Sequence, residues 1–224
     1  MIGEENRQGQ PEILHEGAFD IVVNSSADKV LAQKAKTLAL NGIKKDLNPV
    51  GGWFKDKLGR VSGDIFVDDQ LNPKFLVKKR WMTKDHSEFK AALKIKGGDP
   101  EKSTIYACNS VLNEMSISLL VKNTVSDEKF QQEIRSLGFA GLKFVEPLLA
   151  VVDRDTAGKY VFYEHVPGKM IRYSQNNASD TIEKVKAHLI AGGIWPNDFR
   201  REQLLFNSAT KMLYLIDTEA FLRK

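Results

Sequence analysis

The chain has 224 residues, 42% of them apolar and 28% charged, with a formal net charge of +4. That balance excludes an intrinsically disordered protein, and the spread of the positive charge, whose densest run is only Lys78-Lys79-Arg80, argues against nucleic acid as a partner. One cysteine, Cys108, and four dispersed histidines build neither a disulfide framework nor a Cys/His zinc site. This favours a reducing compartment such as the cytoplasm.

Met1 to Gln10 is polar, with no apolar run after a basic start, so no secretory signal is expected. No apolar run approaches the roughly 18 residues of a membrane span. Ile13 to Val23 reads as extended and Ser26 to Leu40 as a helix, with Ser26 as its cap and Asn41-Gly42 as its stop. Ile65-Phe66-Val67 and Phe75-Leu76-Val77 read as a strand pair, and His86 to Lys94 as a short helix before the break Gly97 to Pro100. Thr104 to Val121 is apolar and fits either strand or helix. Ser126 to Leu137 reads as a helix capped by Ser126, with Phe130, Ile134 and Leu137 on its buried stripe and Gly138 closing it. Phe144 to Val152 and Lys159 to Tyr163 read as strands, Thr181 to Ile190 as a helix stopped by Gly192-Gly193, and Leu204 to Phe206 with Met212 to Ile216 as a hairpin. The order implies an α+β architecture.

At this point the residues resemble the protein kinase superfamily over roughly three quarters of the chain. Glu128 to Ile134 looks like the family's αC helix, and Tyr160-Val161-Phe162-Tyr163-Glu164-His165-Val166-Pro167-Gly168 looks like its fifth strand and hinge. Asn197-Asp198-Phe199-Arg200-Arg201-Glu202-Gln203 has the family's Asp followed five residues later by an amide, and Leu215-Ile216-Asp217-Thr218-Glu219 resembles the metal-binding strand end. The resemblance implies that Tyr163 is the gatekeeper, that the backbones of Glu164 and Val166 meet adenine, that Asp198 is the base, and that Asp217 and Gln203 hold Mg²⁺.

Two registers fit the front of this pattern. In the first, Gly59 and Gly63 belong to a glycine-rich loop and Lys78 ends the strand that carries the phosphate-binding lysine. Its partner is then Glu133, or Glu114 if Thr104 to Val121 is helical. In the second, Ser118 to Lys122 is the lysine strand, Lys122 holds the phosphates and Glu133 pairs with it. The first is preferred, because the rival loop carries Asp99-Pro100-Glu101, which offers fewer amides and puts negative charge near phosphate.

The resemblance implies a two-lobed, protein-kinase-like fold with a much reduced C-lobe, since only seven residues follow Asp217. The implied division is an N-terminal extension over 1–57, an N-lobe over 58–166 and a C-lobe over 167–224. It implies an ATP- and Mg²⁺-dependent transferase acting on a protein hydroxyl, similar to small bacterial effector kinases. A kinase-like module that only binds a protein partner, and a small-molecule kinase, are the alternatives. Pro-Asn before Asp198 and Gln203 in place of the usual Asn depart from the pattern.

Overall fold

The structure is a computed structural model that describes residues 11–44, 56–58, 65–67, 75–80, 100–154, 159–171, 177–197, 199, 201–216, 218 and 221–223. Among these residues it is a mixed α/β protein with four α-helices and three sheets. It falls into two compact units, 1–115 with 147–165, and 116–146 with 166–224. The N-terminal residues group with the first unit, and 116–146 with the second.

In the first unit, β1 (Glu12–Glu16) and β2 (Phe19–Val23) form a hairpin that turns at Gly17, whose φ of +58° suits a residue without Cβ. Helix α1 (Lys29–Lys44) starts at Asp28, whose Oδ1 accepts from the N–H groups of Val30 and Leu31 at 2.9 and 3.0 Å. Ser26 is therefore not the cap; its hydroxyl donates to Asn24 Oδ1 at 2.8 Å. The helix also runs past Asn41-Gly42, the expected stop. The strands β3 (Asp56–Leu58), β4 (Ile65–Val67), β5 (Phe75–Arg80), β7 (Pro147–Asp153) and β8 (Lys159–Glu164) complete a seven-stranded sheet in the order β1-β2-β7-β8-β5-β4-β3. Every pairing in it is antiparallel. The pleat divides the sheet into two faces. Ile21, Phe75, Val77, Leu149, Val151, Tyr160 and Phe162 share the face that packs with Ala32, Ala35 and Ala39 of α1. Positions 76, 78, 161 and 163 fall on the other.

Helix α2 (Pro100–Val125) settles the ambiguous segment as helix. Proline suits its first position, where no helical N–H bond is lost. From Ser116 onward its residues belong to the second unit. Helix α3 (Glu128–Ser136) is capped by Asp127, which accepts from the Phe130 N–H at 2.9 Å, not by Ser126 as expected. The expected strand Phe144 to Val152 is two strands of different sheets. β6 (Gly141–Phe144) ends, and β7 begins at Pro147. β6 joins a four-stranded sheet, β6-β12-β11-β9, with β9 (Lys169–Met170), β11 (Leu204–Asn207) and β12 (Met212–Leu215). Its pairing with β12 is parallel. Helix α4 (Ala178–Ala191) leads into β10 (Ile194–Pro196), which pairs with β13 (Phe221–Arg223).

Phe130, Ile134, Val185, Leu189, Leu204, Leu213 and Phe221 belong to one buried cluster in this unit. His188 stacks on Phe130 at 3.7 Å between ring centroids, and its Nε2 donates to the Thr124 carbonyl at 2.9 Å. Gln131 ties α2 and α3 to β6. Its Nε2 donates to the carbonyls of Val125 and Leu142 at 2.6 and 2.8 Å, and its Oε1 accepts from the Leu142 N–H at 3.1 Å.

Candidate functional site

The β11–β12 hairpin follows from its sequence. Apolar residues fill both strands, and Asn207 Oδ1 accepts from the N–H groups of Ala209 and Thr210 at 3.0 and 3.3 Å, which closes the turn. The last ladder pair is Leu204 with Leu215. One step further, the Ile216 N–H donates to the Gln203 carbonyl at 2.9 Å. Gln203 sits at the end of a short 3-10 turn, Arg201–Gln203, and is buried. On the other side, β10 and β13 pair Pro196 with Phe221. The Phe221 N–H also donates to the Thr218 carbonyl at 3.0 Å. Asp198 and Asp217 lie outside the described residues. The stretches that carry them are joined at both ends, Gln203 to Ile216 and Pro196 to Phe221. Beside position 217, Thr218 is 1% exposed, and its Oγ1 has no hydrogen-bond partner among the described residues.

In the first unit, β5 lies inside the sheet between β4 and β8. Lys78 pairs with Ile65 on one side and Val161 on the other. Gly59 and Gly63 lie outside the described residues; β3 and β4, on either side of them, pair from Leu58 with Ile65. Tyr163 pairs with Leu76, next to a bulge in β7 between Pro147 and Leu149. Its hydroxyl donates to Glu114 Oε1 of α2 at 2.7 Å, and both residues are buried. β8 ends at Glu164, which is exposed. Val166 follows in an irregular stretch that begins the second unit.

The second register is not formed, because Ser118 to Lys122 is helix and not strand. Lys122 Nζ donates instead to Glu146 Oε1 at 2.8 Å. Glu133 sits on α3, its side chain 48% exposed and 3.9 Å from Lys184 Nζ of α4. Of the two carboxylates weighed as partners of Lys78, the buried one is Glu114. Two groups had no signal in the sequence: Glu146, whose buried Oε2 has no hydrogen-bond partner among the described residues, and the hydroxyl of Thr218. Burial, with the Asp153 charge adding to it, pushes the Tyr160 hydroxyl up to about 12.

Among the described residues, no cluster of His, Cys, Asp or Glu has the make-up of a metal site, and no helix is long and apolar enough to cross a membrane. No family model matches the sequence, and no curated protein matches it. Among solved structures, the chain is similar to WbdD, with 13% identity and a TM-score of 0.45, over 76% of this chain and 33% of that one. It is also similar to PK-1, the Cydia pomonella granulovirus kinase, with 14% identity and a TM-score of 0.44, over 85% of this chain and 57% of that one. The chain thus spans about a third of WbdD and somewhat over half of PK-1.

Proposed function

We propose that the chain is an ATP- and Mg²⁺-dependent phosphotransferase of the protein kinase kind, with a protein hydroxyl as acceptor. The observation that carries this reading is the pair of backbone links in the second unit, Gln203 to Ile216 and Pro196 to Phe221. Phosphoryl transfer needs one carboxylate to orient the attacking hydroxyl and oxygen ligands to hold the metal. The links bracket the stretches that carry Asp198 and Asp217, with Gln203 at one end.

The donor set fits magnesium. A carboxylate from Asp217 and an amide oxygen from Gln203 are hard oxygen ligands, and the unpartnered buried hydroxyl of Thr218 stands next to position 217. Bound Mg²⁺ neutralises charge on the phosphate oxygens. Lys78 holds the phosphates and is paired by Glu114, in place of Glu133. The amides around Gly59 and Gly63 cover the phosphates. The backbones of Glu164 and Val166 meet adenine beside Tyr163. The acceptor oxygen bonds to the γ-phosphorus as the bond to the bridging oxygen breaks. ADP leaves, and Asp198 takes the acceptor's proton. Catalysis comes mainly from positioning and charge neutralisation. A polypeptide acceptor is supported by Trp195 and Leu222, a cross-strand pair on the β10–β13 ladder, 50% and 44% exposed.

A thermal shift with ATP and Mg²⁺, on the wild type and Asp217→Ala, tests the reading. Nucleotide at about 100 times its Kd stabilises the fold by roughly 2.7 kcal/mol, several degrees in Tm. The shift is expected to require metal and to be lost in the variant, and Asp198→Asn is expected to keep it while abolishing phosphate transfer. A wild type that does not respond would sink the enzyme reading in favour of a partner-binding module. Phosphate found on a small molecule and not on protein would give the small-molecule kinase.

A further inference from the structure

Glu114 and Tyr163 meet in a buried hydrogen bond of 2.7 Å, with Glu114 1% and Tyr163 5% exposed. A carboxylate at that depth must be supplied with donors, and a hydroxyl–carboxylate bond is among the stronger neutral-to-charged contacts. Tyr163 stands on β8 opposite Leu76, and Lys78 is opposite Val161. The pleat therefore sets positions 76, 78, 161 and 163 on one face of the sheet, while Phe75, Val77 and Phe162 turn to α1 on the other. The Glu114 carboxylate is bonded on the face that also holds position 78. Its backbone comes from α2, and one partner of its side chain stands on the sheet. A glutamate has three rotatable side-chain bonds, so its helix alone does not fix where the carboxylate sits.

We propose that Tyr163 is a positioning residue whose hydroxyl fixes the rotamer of Glu114, and so the geometry of its pairing with Lys78. This rests on the phosphotransferase reading. The phenol acts as a brace between β8 and α2 and touches no reacting atom itself. Removing its oxygen leaves the ring in place and takes from the carboxylate the donor that ties it to β8.

Full-length wild type, Tyr163→Phe, Glu114→Gln and the double variant would be compared for ATP turnover in Mg²⁺, for the Tm without nucleotide, and for kcat and KM separately. The expected result is a loss of about tenfold or more in kcat/KM for Tyr163→Phe, carried mainly by kcat, with a Tm within a few degrees of wild type. In the Glu114→Gln background the same change should cost little, because the group it positions is already gone. A Tyr163→Phe protein with wild-type kcat/KM, or a loss that persists undiminished in the Glu114→Gln background, would overturn the proposal and leave the phosphotransferase reading intact. A wild type that neither binds nor turns over ATP would overturn that reading, and this proposal with it.

Discussion

The Ile216 N–H and the Gln203 carbonyl meet at 2.9 Å, one residue beyond the last ladder pair of the β11–β12 hairpin. Residue 203 and the residue before Asp217 are thus held by the same hydrogen-bond ladder that holds the hairpin. On the proposed reading, in which Gln203 and Asp217 hold Mg²⁺, a backbone bond at Gln203 and Ile216 lowers the conformational entropy lost when a cation arrives. Replacing Gln203 with Leu removes one oxygen ligand and leaves the backbone bond. The Mg²⁺ concentration for half-maximal ATP turnover is expected to rise about tenfold or more, read from a magnesium titration. An unchanged midpoint would remove Gln203 from the metal site.

The lysine assignment separates cleanly by mutation. Lys78→Met is expected to raise the KM for ATP and lower kcat by about 10²-fold or more. Lys122→Met loses a partly exposed pair with Glu146, and its nucleotide kinetics should match wild type. Glu133→Ala should behave in the same way, because its ion pair with Lys184 is 3.9 Å long and exposed. Steady-state kinetics on the three variants decide the point; a defect in Lys122→Met alone would restore the second register.

Gln131 is a structural prediction independent of activity. Its amide satisfies two carbonyls and one N–H that the ladder and helix ends leave over. Gln131→Ala is expected to cost about 2–3 kcal/mol, measured by urea denaturation, since buried backbone groups lose their partners. A change under about 0.5 kcal/mol would show that water replaces the amide without loss.

Tyr160 gives a pH dependence. Its hydroxyl is raised from 10.0 to about 12 by burial and by the Asp153 charge. The unfolded chain therefore releases this proton at lower pH than the folded one. The contribution is fully present below about pH 10 and is lost as pH rises through about 12, at up to about 1.4 kcal/mol per pH unit. Tyr160→Phe should flatten the fall in stability over that window relative to wild type, in denaturation curves taken between the two values.

Much of this was legible in the sequence. The β11–β12 hairpin was, because apolar runs flank a turn led by Asn207. The Lys78 strand was too, because Phe75 to Val77 and Ile65 to Val67 surround polar turn residues. The burial that sets Glu114 apart from Glu133 was not. The apolar residues of α2 read as strand or helix alike, and only the burial of Ile117, Val121 and Val125, four apart, shows the helical face. The caps went to the wrong neighbour twice, since Ser26 and Asp28, and Ser126 and Asp127, are all good caps, and local preference does not choose between them. The break between β6 and β7 was hidden by the apolar residues on both sides of Glu146, although Pro147, which has no N–H to donate, belongs at a strand's first position. The place of residues 12–23 was the hardest. Alternation says strand, but nothing local says that β2 pairs with β7, more than a hundred residues away.

That last pairing has a consequence for the molecule's solubility. β7, Pro147 to Asp153, is buried along its whole length, and without β1 and β2 it would become the sheet's border. Its backbone groups would then stand unpaired beside apolar residues, a template for a second copy. β1, which borders the sheet instead, carries Glu12, His15 and Glu16, with the His15 side chain 71% exposed. Charge at a border strand discourages edge-to-edge pairing. The N-terminal hairpin is thus a guard against self-association, and a chain trimmed to begin at the glycine-rich stretch would be expected to precipitate before its chemistry could be tested.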